Sequence, residues 1–280
     1  MPHPYLSYPA PAKLNLSLKV VGRRDDGYHL LETVFRFIDF SDEVALAVRD
    51  DGIIELLTPI AGVPPESDLT VRAARLLQQT TGVTQGVSIR LDKRIPMGGG
   101  LGGGSSDAAT VLLALNRAWG CALSRERLME LGLSLGADVP VFIFGRNAFA
   151  TGIGECLSEI GVPQAWYLVL HPGVQVPTAK VFSSPLLTRN SPLGIMPILE
   201  TTQQRRNDLQ SVVCEMFPEV DRALTELGKY GSPLMTGSGS CVFLEFASRQ
   251  EAEKVYRLVS DRYSGFVAEG LARHPLFDIV

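Results

Sequence analysis

The chain has 280 residues, 45% of them hydrophobic and 20% charged, which is typical of a water-soluble globular protein. Its net charge of −4 leaves no surplus of basic residues for extended contact with a nucleic-acid backbone. The four cysteines and four histidines are scattered, so neither a zinc cluster nor a disulfide framework is indicated.

Two segments of the chain also argue against a membrane role. The first residues, "MPHPYLSYPAPAKLNLSL", lack the basic start and apolar core of a secretory signal. The most apolar later segment, "VPVFIFGRNAFA", is too short to span a bilayer. We therefore expect a cytoplasmic protein that binds neither membranes nor nucleic acids, and the sequence leaves open whether it is a monomer or a homodimer.

The first third of the chain alternates between strand and helix patterns. Apolar and polar residues alternate from Leu14 to Val20, as in a half-buried strand. "HLLETVFRFIDFSDEVALAV" predicts extended segments with a turn near Ser41 and Asp42. "SDLTVRAARLLQQTTG" predicts a helix that begins at Ser67 or Asp68 and ends at Gly82. "VSIRLDKRIP" predicts a further strand just before a run of glycines.

The rest of the chain predicts a second set of mixed elements. "SSDAATVLLALNRAWG" and "SRERLMELGLSLG" predict two helices, the second with Ser124 as its N-cap. "WYLVLHPG" predicts a buried strand, followed by two helices, the strand "CVFLEF", the amphipathic helix "RQEAEKVYRLVSDRY" and a last strand. A change of character near residue 162 divides this α+β chain into two predicted domains, residues 1–162 and 163–280.

The segment "KRIPMGGGLGGGSSDAAT" has six glycines in seven positions between a predicted strand and a predicted helix. A flexible linker is not normally joined directly to a strand and a helix in this way. Exposed N–H groups and the positive end of the helix dipole favour a phosphate at such a turn, and glycine permits close approach. A dinucleotide fold would need a parallel strand soon after this helix, but a second helix follows. The P-loop pattern fails as well, because no Lys-Ser or Lys-Thr pair follows the glycines.

The stretch "PMGGGLGGGSSDAA" resembles the phosphate-binding motif of the galactokinase, homoserine kinase, mevalonate kinase and phosphomevalonate kinase (GHMP) superfamily. "PAKLNLSLKVVGRRDDGYHLLETVF", "LGADVPVFIFG", "HPGVQVPTAKVF", "NDLQSVV" and "TGSGSCVFLEF" fit the same superfamily in the same order. The resemblance implies a two-domain fold: an N-terminal nucleotide domain like the second domain of ribosomal protein S5, and a C-terminal ferredoxin-like α/β plait. It also implies ATP and Mg²⁺ as cofactors, with ATP and the catalytic residues in the first domain and part of the substrate site in the second.

The resemblance further implies roles for individual residues. Asp138 would accept the proton of a substrate hydroxyl, and Lys13 would lie beside it. ATP would contact Leu69, Lys93, Pro96, Met97, Gly98, Gly99, Gly100, Leu101, Gly102, Gly103, Gly104, Ser105 and Ser106. The metal ligands stay unknown: Ser105 or Ser106 could offer a hydroxyl, but one of them is more readily the N-cap of the helix. Asp68 departs from the pattern, since an asparagine is expected there near adenine, and a carboxylate cannot donate as an amide does.

"DDGYHLLETVF" narrows the implied substrate to a small molecule with a cytidine diphosphate group, cytidine diphosphate methylerythritol. Tyr28 and Phe182 would stack against cytosine while His29 reads the edge of the base. The resemblance adds the substrate contacts Asn15, Thr178, Gly237, Ser238 and Gly239. The alternatives are a sister kinase for homoserine or a mevalonate-like alcohol, a dehydrogenase that uses NAD, and a nucleotide-binding module without catalysis. The loop from Ser183 to Pro197 is either a mobile lid or a surface connection.

Overall fold

The computed structural model describes residues 4–193 and 205–280, which form an α+β fold. The strands are β1 (Leu6–Arg23), β2 (His29–Arg49), β3 (Ile54–Leu56), β4 (Gly86–Asp92), β5 (Ala148–Thr151), β6 (Cys156–Glu159), β7 (Trp166–His171), β8 (Leu234–Met235), β9 (Val242–Phe246) and β10 (Ser264–Leu271). The helices are α1 (Leu69–Thr81), α2 (Gly103–Ala118), α3 (Arg125–Leu135), α4 (Val139–Phe144), α5 (Thr178–Ser183), α6 (Gln210–Met216), α7 (Pro218–Leu227) and α8 (Arg249–Val259).

The long strands β1 and β2 form an antiparallel hairpin that is the central element of the fold. Their register shifts between Pro11, which faces Ser41, and Ala12, which faces Ile38. The predicted turn near Ser41 and Asp42 is therefore wrong, because β2 continues through a bulge that bends the strand. The acidic residue that suggested a turn is 1% exposed and accepts hydrogen bonds from the backbone N–H groups of residues 94 and 95.

The strands that the structure describes join in one mixed sheet with the order β3-β4-β2-β10-β7-β9-β8, to which β1, β5 and β6 are attached beside β2. The β3–β4 pair is parallel and the other pairs are antiparallel. Near the end of the chain, β10 pairs with β7 and also with β2. The sheet is thus continuous across the predicted boundary at residue 162, which stays a prediction.

Local capping rules account for two helix starts. The side chain of Asp68 accepts a hydrogen bond from the N–H of Thr70 at the start of α1, and Ser124 accepts one from Arg127 at the start of α3. Gly82 ends α1 in a left-handed conformation with φ 70°. These predictions are confirmed.

Three apolar clusters hold the layers together. The first packs α1, α2, α3 and α4 against β2 and β4, and in it the middle of α2 is buried on every side. The second packs α6, α7 and α8 on the strands of the C-terminal half. The third joins both halves through β1, β2, β7 and β9, with Leu14, Ile38 and Tyr167 fully buried. The N-terminal and C-terminal halves therefore share one hydrophobic cluster, which fixes the side chains that both halves contribute to the space between them.

Candidate active site

A cavity of about 1050 Å³ opens between the glycine loop, the start of β2, α5 and the loop before β9. All predicted site residues line it except Ser106, whose side chain is fully buried with no hydrogen-bond partner for its hydroxyl in the described chain. The structure thus brings together side chains that are up to 226 positions apart in the sequence, from Lys13 to Gly239.

The glycine loop provides the floor of the cavity. Gly98, Gly100 and Gly102 have φ angles of 68°, 75° and 74°, a region that other residues rarely adopt. A Cβ on Gly100 would lie 2.1 Å from the carbonyl oxygen of Thr236. The backbone at Thr236 could not pack this closely if residue 100 carried a side chain. Glycine is therefore required at position 100 by both conformation and space.

The helix after this loop begins earlier than predicted. α2 starts at Gly103 with Gly102 as its N-cap, and no side chain caps it. The expectation that Ser105 or Ser106 is the N-cap is therefore wrong, because the positive φ of Gly102 lets the helix begin within the glycine run. An uncapped helix start directs free N–H groups and a partial positive charge at the cavity, which suits a phosphate.

A second glycine loop, Gly237–Gly239, lies against the first. The N–H of Cys241 donates to the carbonyl of Gly99 over 3.1 Å, and the hydroxyl of Thr236 donates to the carbonyl of Gly100 over 3.2 Å. Thr178 on α5 shares a 2.7 Å hydrogen bond with Ser238. The C-terminal half is thereby tied to the first glycine loop.

Lys13 is the buried cation at the centre of the site. It is only 2% exposed, and its Nζ donates to Asn15 Oδ1 over 2.6 Å and to the carbonyl of Gly100 over 3.0 Å. Its Nζ also lies 3.3 Å from Asp138 Oδ2. A buried ammonium is costly unless it is paired and hydrogen-bonded, as it is here.

Asn15 orients this lysine. Its amide nitrogen donates over 2.8 Å to the hydroxyl of Thr33, which in turn donates to the carbonyl of Ser17. The amide oxygen must therefore face Lys13, which it accepts from. The lysine is held in place by a buried network on β1 and β2 rather than by Asp138 alone.

Asp138 occupies the N-cap position of α4, but its side chain makes no capping hydrogen bond. Its carboxylate is 38% exposed and lines the cavity beside Lys13. A carboxylate that is paired with a buried ammonium and open to a cavity is arranged to accept a proton from a bound hydroxyl. The geometry fits a base better than a helix cap.

Lys93 belongs to a buried triad that sequence reasoning missed. Its Nζ donates to Asp107 Oδ2 over 2.7 Å and also to Asp42. Burial, together with the charge of Asp42, raises the pKa of Asp107 against the opposing effect of Lys93. Burial would lower the pKa of Lys93, but the two carboxylates outweigh it and raise that pKa. Lys93 is therefore a fixed cation under the start of α2.

Asp68, where an asparagine is expected near adenine, also lines the cavity. Asp68 is 5% exposed, and one of its carboxylate oxygens accepts from both the N–H and the hydroxyl of Thr70. The aspartate that stands where asparagine was expected thus caps α1 and needs no amide donor for that role. Leu69 follows it and lines the cavity.

The predicted base-binding residues line the same cavity. The rings of His29 and Phe182 lie with their centroids 5.0 Å apart, tilted by 34°, while Tyr28 is 59% exposed on the turn before β2. Arg189 contacts this group, and nothing in its local sequence indicates it, because its partner His29 is 160 positions away. Burial, followed by the positive charges of Arg189 and Arg23, lowers the pKa of His29.

Residues 184–191 are held to the body of the protein. The guanidinium of Arg189 donates to three carbonyls of residues 182–187, and Ser191 bonds to Val20 and Asp208. The described part of the predicted loop is therefore a packed connection; its last four residues, 194–197, lie outside the described residues. Over residues 4–193 and 205–280, no three metal-binding side chains gather, and no helix is both long and apolar enough to cross a membrane.

Two family models match this chain. Residues 68–146 match the GHMP kinases N terminal domain, and residues 185–265 match the GHMP kinases C terminal domain. The crystal structure of a homoserine kinase from Cytophaga hutchinsonii superposes with a TM-score of 0.71 at 16% identity, covering 96% of this chain and 95% of its own, which shows the common fold alone. The two family models and the fold identify the chain as a member of the GHMP kinase class.

Closer relatives narrow the class. A 4-diphosphocytidyl-2-C-methyl-D-erythritol kinase of Chromobacterium violaceum is 71% identical to this chain. The match covers 99% of each of the two chains. A crystal structure of a 4-(cytidine 5'-diphospho)-2C-methyl-D-erythritol kinase matches with a TM-score of 0.83 at 33% identity, over 95% of this chain and 99% of its own. The chain belongs to the family of 4-diphosphocytidyl-2-C-methyl-D-erythritol kinases.

Proposed function

We propose that the chain transfers the γ-phosphoryl group of ATP to the tertiary 2-hydroxyl of 4-diphosphocytidyl-2-C-methyl-D-erythritol, giving the 2-phosphate and ADP. The observation that carries this proposal is the Lys13–Asp138 pair, 3.3 Å apart, in a cavity that the glycine loop, Tyr28 and Phe182 also line. The names of the close relatives supply the identity of the alcohol.

The triphosphate would lie along the glycine loop and the start of α2. Gly100 and Gly102 have no room for a side chain, because a Cβ would lie 2.1 Å from a backbone atom at the first and 2.9 Å from a ring atom at the second. The loop therefore presents only its backbone at these two positions. The free N–H groups of the first turn would then donate to phosphate oxygens. Pro96, Met97 and Ser105 also line this part of the cavity.

Asp138 would act as the general base. An alcohol is a poor nucleophile at neutral pH, and a carboxylate within hydrogen-bond reach takes its proton as the phosphoryl group transfers. The ammonium of Lys13 balances the charge of this carboxylate and stabilises charge on the reacting oxygens. Because Asn15 and Gly100 fix Lys13, the positive charge stands ready before substrate arrives. Catalysis by these residues is positioning and electrostatics, without a covalent enzyme intermediate.

Mg²⁺, when bound with ATP, supplies neutralisation of the β- and γ-phosphate oxygens. Of the two serines that follow the glycines, Ser105 lines the cavity whereas the hydroxyl of Ser106 is buried. Ser105 is therefore the residue whose hydroxyl fits a metal bound at the phosphates.

The cytidine end of the substrate would lie between Tyr28 and Phe182, with His29 at the edge of the base. Stacking on aromatic rings contributes about 1–3 kcal/mol per base in single-stranded nucleic-acid sites. Homoserine and mevalonate carry no base that such a wall could bind. This is the reason to prefer the cytidine compound over a sister kinase substrate, and Lys13 and Asp138 are the reason to prefer an enzyme over a binding module.

In this proposal residues 1–162 supply the ATP site and the catalytic pair, and residues 163–280 supply Thr178, Phe182 and the loop Gly237–Gly239. A cytoplasmic location is a prediction from the sequence. For the oligomeric state, both monomer and homodimer stay open, as in the prediction from the sequence.

The test is ADP release by the purified protein with Mg-ATP and one of three alcohols: diphosphocytidyl-methylerythritol, mevalonate or homoserine. Turnover with the cytidine compound alone is the expected result. Turnover with another alcohol would keep the Lys13–Asp138 chemistry and contradict the base pocket. If ATP binds and none of the three is phosphorylated, a non-catalytic nucleotide-binding module becomes the better account.

A further inference from the structure

Arg189 joins the two residues that would hold the base. Its Nε donates to His29 Nε2 over 3.0 Å. One Nη donates to the carbonyls of Phe182 and Ser184 over 3.0 and 2.7 Å, and the other donates to the carbonyl of Leu187 over 3.0 Å. One side chain thus connects the start of β2 with the end of α5.

This contact determines which nitrogen of His29 carries a proton. A guanidinium has five donors and no acceptor, so the Nε2 atom that faces Arg189 must present a lone pair. The proton of the neutral ring then resides on Nδ1. The cationic neighbours of His29, Arg189 and Arg23, both oppose a second proton. The imidazole is therefore held as a neutral ring with a donor at Nδ1, on a side chain that lines the cavity.

We propose that Arg189 is a positioning residue that fixes His29 as the Nδ1–H tautomer and thereby selects cytosine over uracil. The inference rests on the proposed function, because it concerns the base of the same substrate. On its Watson–Crick edge cytosine offers two acceptors, O2 and N3, beside its amino group. Uracil carries a proton on N3, so a donor aimed at that position meets another donor.

The same contacts hold Phe182 at a fixed distance from His29. Arg189 binds the last turn of α5 through its carbonyls, and the rings of His29 and Phe182 lie 5.0 Å apart. The stacking wall and the edge-reading group are therefore positioned together by one guanidinium. A substitution that removes only the charge and the donors should disturb both.

The first experiment needs no substrate. Two-bond ¹H–¹⁵N correlation spectra of the ¹⁵N-histidine protein report the tautomer of each ring, and His29→Asn assigns the signal among the four histidines. The unliganded protein should show His29 as Nδ1–H, with the signal moving toward Nε2–H in Arg189→Met. An Nε2–H ring in the unsubstituted protein would overturn the inference, whether or not the chain turns over substrate.

The second experiment measures KM and kcat with the cytidine compound and with its uridine analogue. The unsubstituted enzyme should show a KM for the cytidine compound that is flat from pH 8 to 6, and a preference over uridine of roughly tenfold or more, the expected effect of an unmatched buried donor. In Arg189→Met the KM should rise at pH 8 and recover in part toward pH 6, because a protonated ring donates from Nδ1 again, whereas the share due to the displaced Phe182 does not depend on pH. The KM for ATP should not change.

Arg189→Lys is the matched control, since it keeps a charge and a donor. It should retain the Nδ1–H signal and most of the preference for cytidine. A purely structural role for Arg189 would instead raise KM at every pH and for both bases alike, and that result would contradict the proposal. An unsubstituted enzyme with the expected tautomer but no turnover would remove the proposed function and the base selection while leaving the tautomer assignment.

Discussion

Replacing Asp138 by Asn tests whether this carboxylate accepts the proton of the substrate hydroxyl. The amide is nearly isosteric but cannot take a proton from the substrate hydroxyl. Loss of a positioned base typically lowers the rate by 10²–10⁴, which corresponds to about 3–5.5 kcal/mol of barrier. Asp138 makes no capping bond to α4 and is 38% exposed, and the buried Lys13 keeps its two other acceptors, Asn15 and the carbonyl of Gly100. Loss of the ion pair should therefore lower the free energy of unfolding by only about 1 kcal/mol.

The assay is steady-state ADP release, with thermal unfolding measured on the same preparations. We expect kcat to fall by two to four orders of magnitude while the KM for ATP and the unfolding midpoint stay close to those of the unsubstituted protein. Asp51→Asn is the matched control, because it removes an exposed carboxylate that pairs with Arg49 outside the cavity. Near-normal turnover of Asp138→Asn, with the control unchanged, would refute the assignment of the base.

Three other changes have defined outcomes. Gly100→Ala places a Cβ 2.1 Å from the carbonyl of Thr236 at φ 75°, so it should raise the KM for ATP and destabilise the fold by more than the roughly 1–2 kcal/mol of a left-handed alanine. Gly62→Ala has the same sign of φ with open space around it and should show the conformational cost alone in thermal unfolding. Phe182→Ala should raise the KM for the cytidine compound about 5- to 150-fold, the equivalent of 1–3 kcal/mol of stacking, and leave the KM for ATP unchanged; an unaltered KM would remove the stacking wall. Burial lowers the pKa of His274 to about 3, so the unfolded chain takes up its proton near pH 6.5 and the folded one does not. Stability should therefore fall with decreasing pH below 6.5, by up to about 1.4 kcal/mol per unit from this group, and denaturant melts of His274→Phe should lack that part of the slope.

Features that depend on local chemistry were predictable from the sequence. Asp68 and Ser124 cap their helices because a side chain needs only the next two or three N–H groups to do so. The strand, the glycine turn and the helix that follows it were predictable because the three are contiguous, and phosphate binding there stays a prediction. The resemblance extended this to Lys13 and Asp138, which the structure brings to 3.3 Å.

Features that depend on distant partners were not predictable. Asp42 looked like a turn residue, since its partners at residues 93–95 lie about fifty positions further along the chain. The proposed N-cap at Ser105 or Ser106 was wrong because serine preference competes with a glycine that begins the helix earlier. Arg189 had no local pattern at all; only the fold brings it to His29.

The most direct test of the account is the proton-coupled ³¹P NMR spectrum of the product formed from Mg-ATP and diphosphocytidyl-methylerythritol. The carbon that bears the tertiary 2-hydroxyl has no hydrogen, so a phosphate on that oxygen gives a monoester signal without splitting by a carbinol proton. The account predicts this unsplit signal together with one equivalent of ADP. A signal split by one or two carbinol protons would place the phosphate on another hydroxyl, and the absence of any new ester would contradict the proposed function.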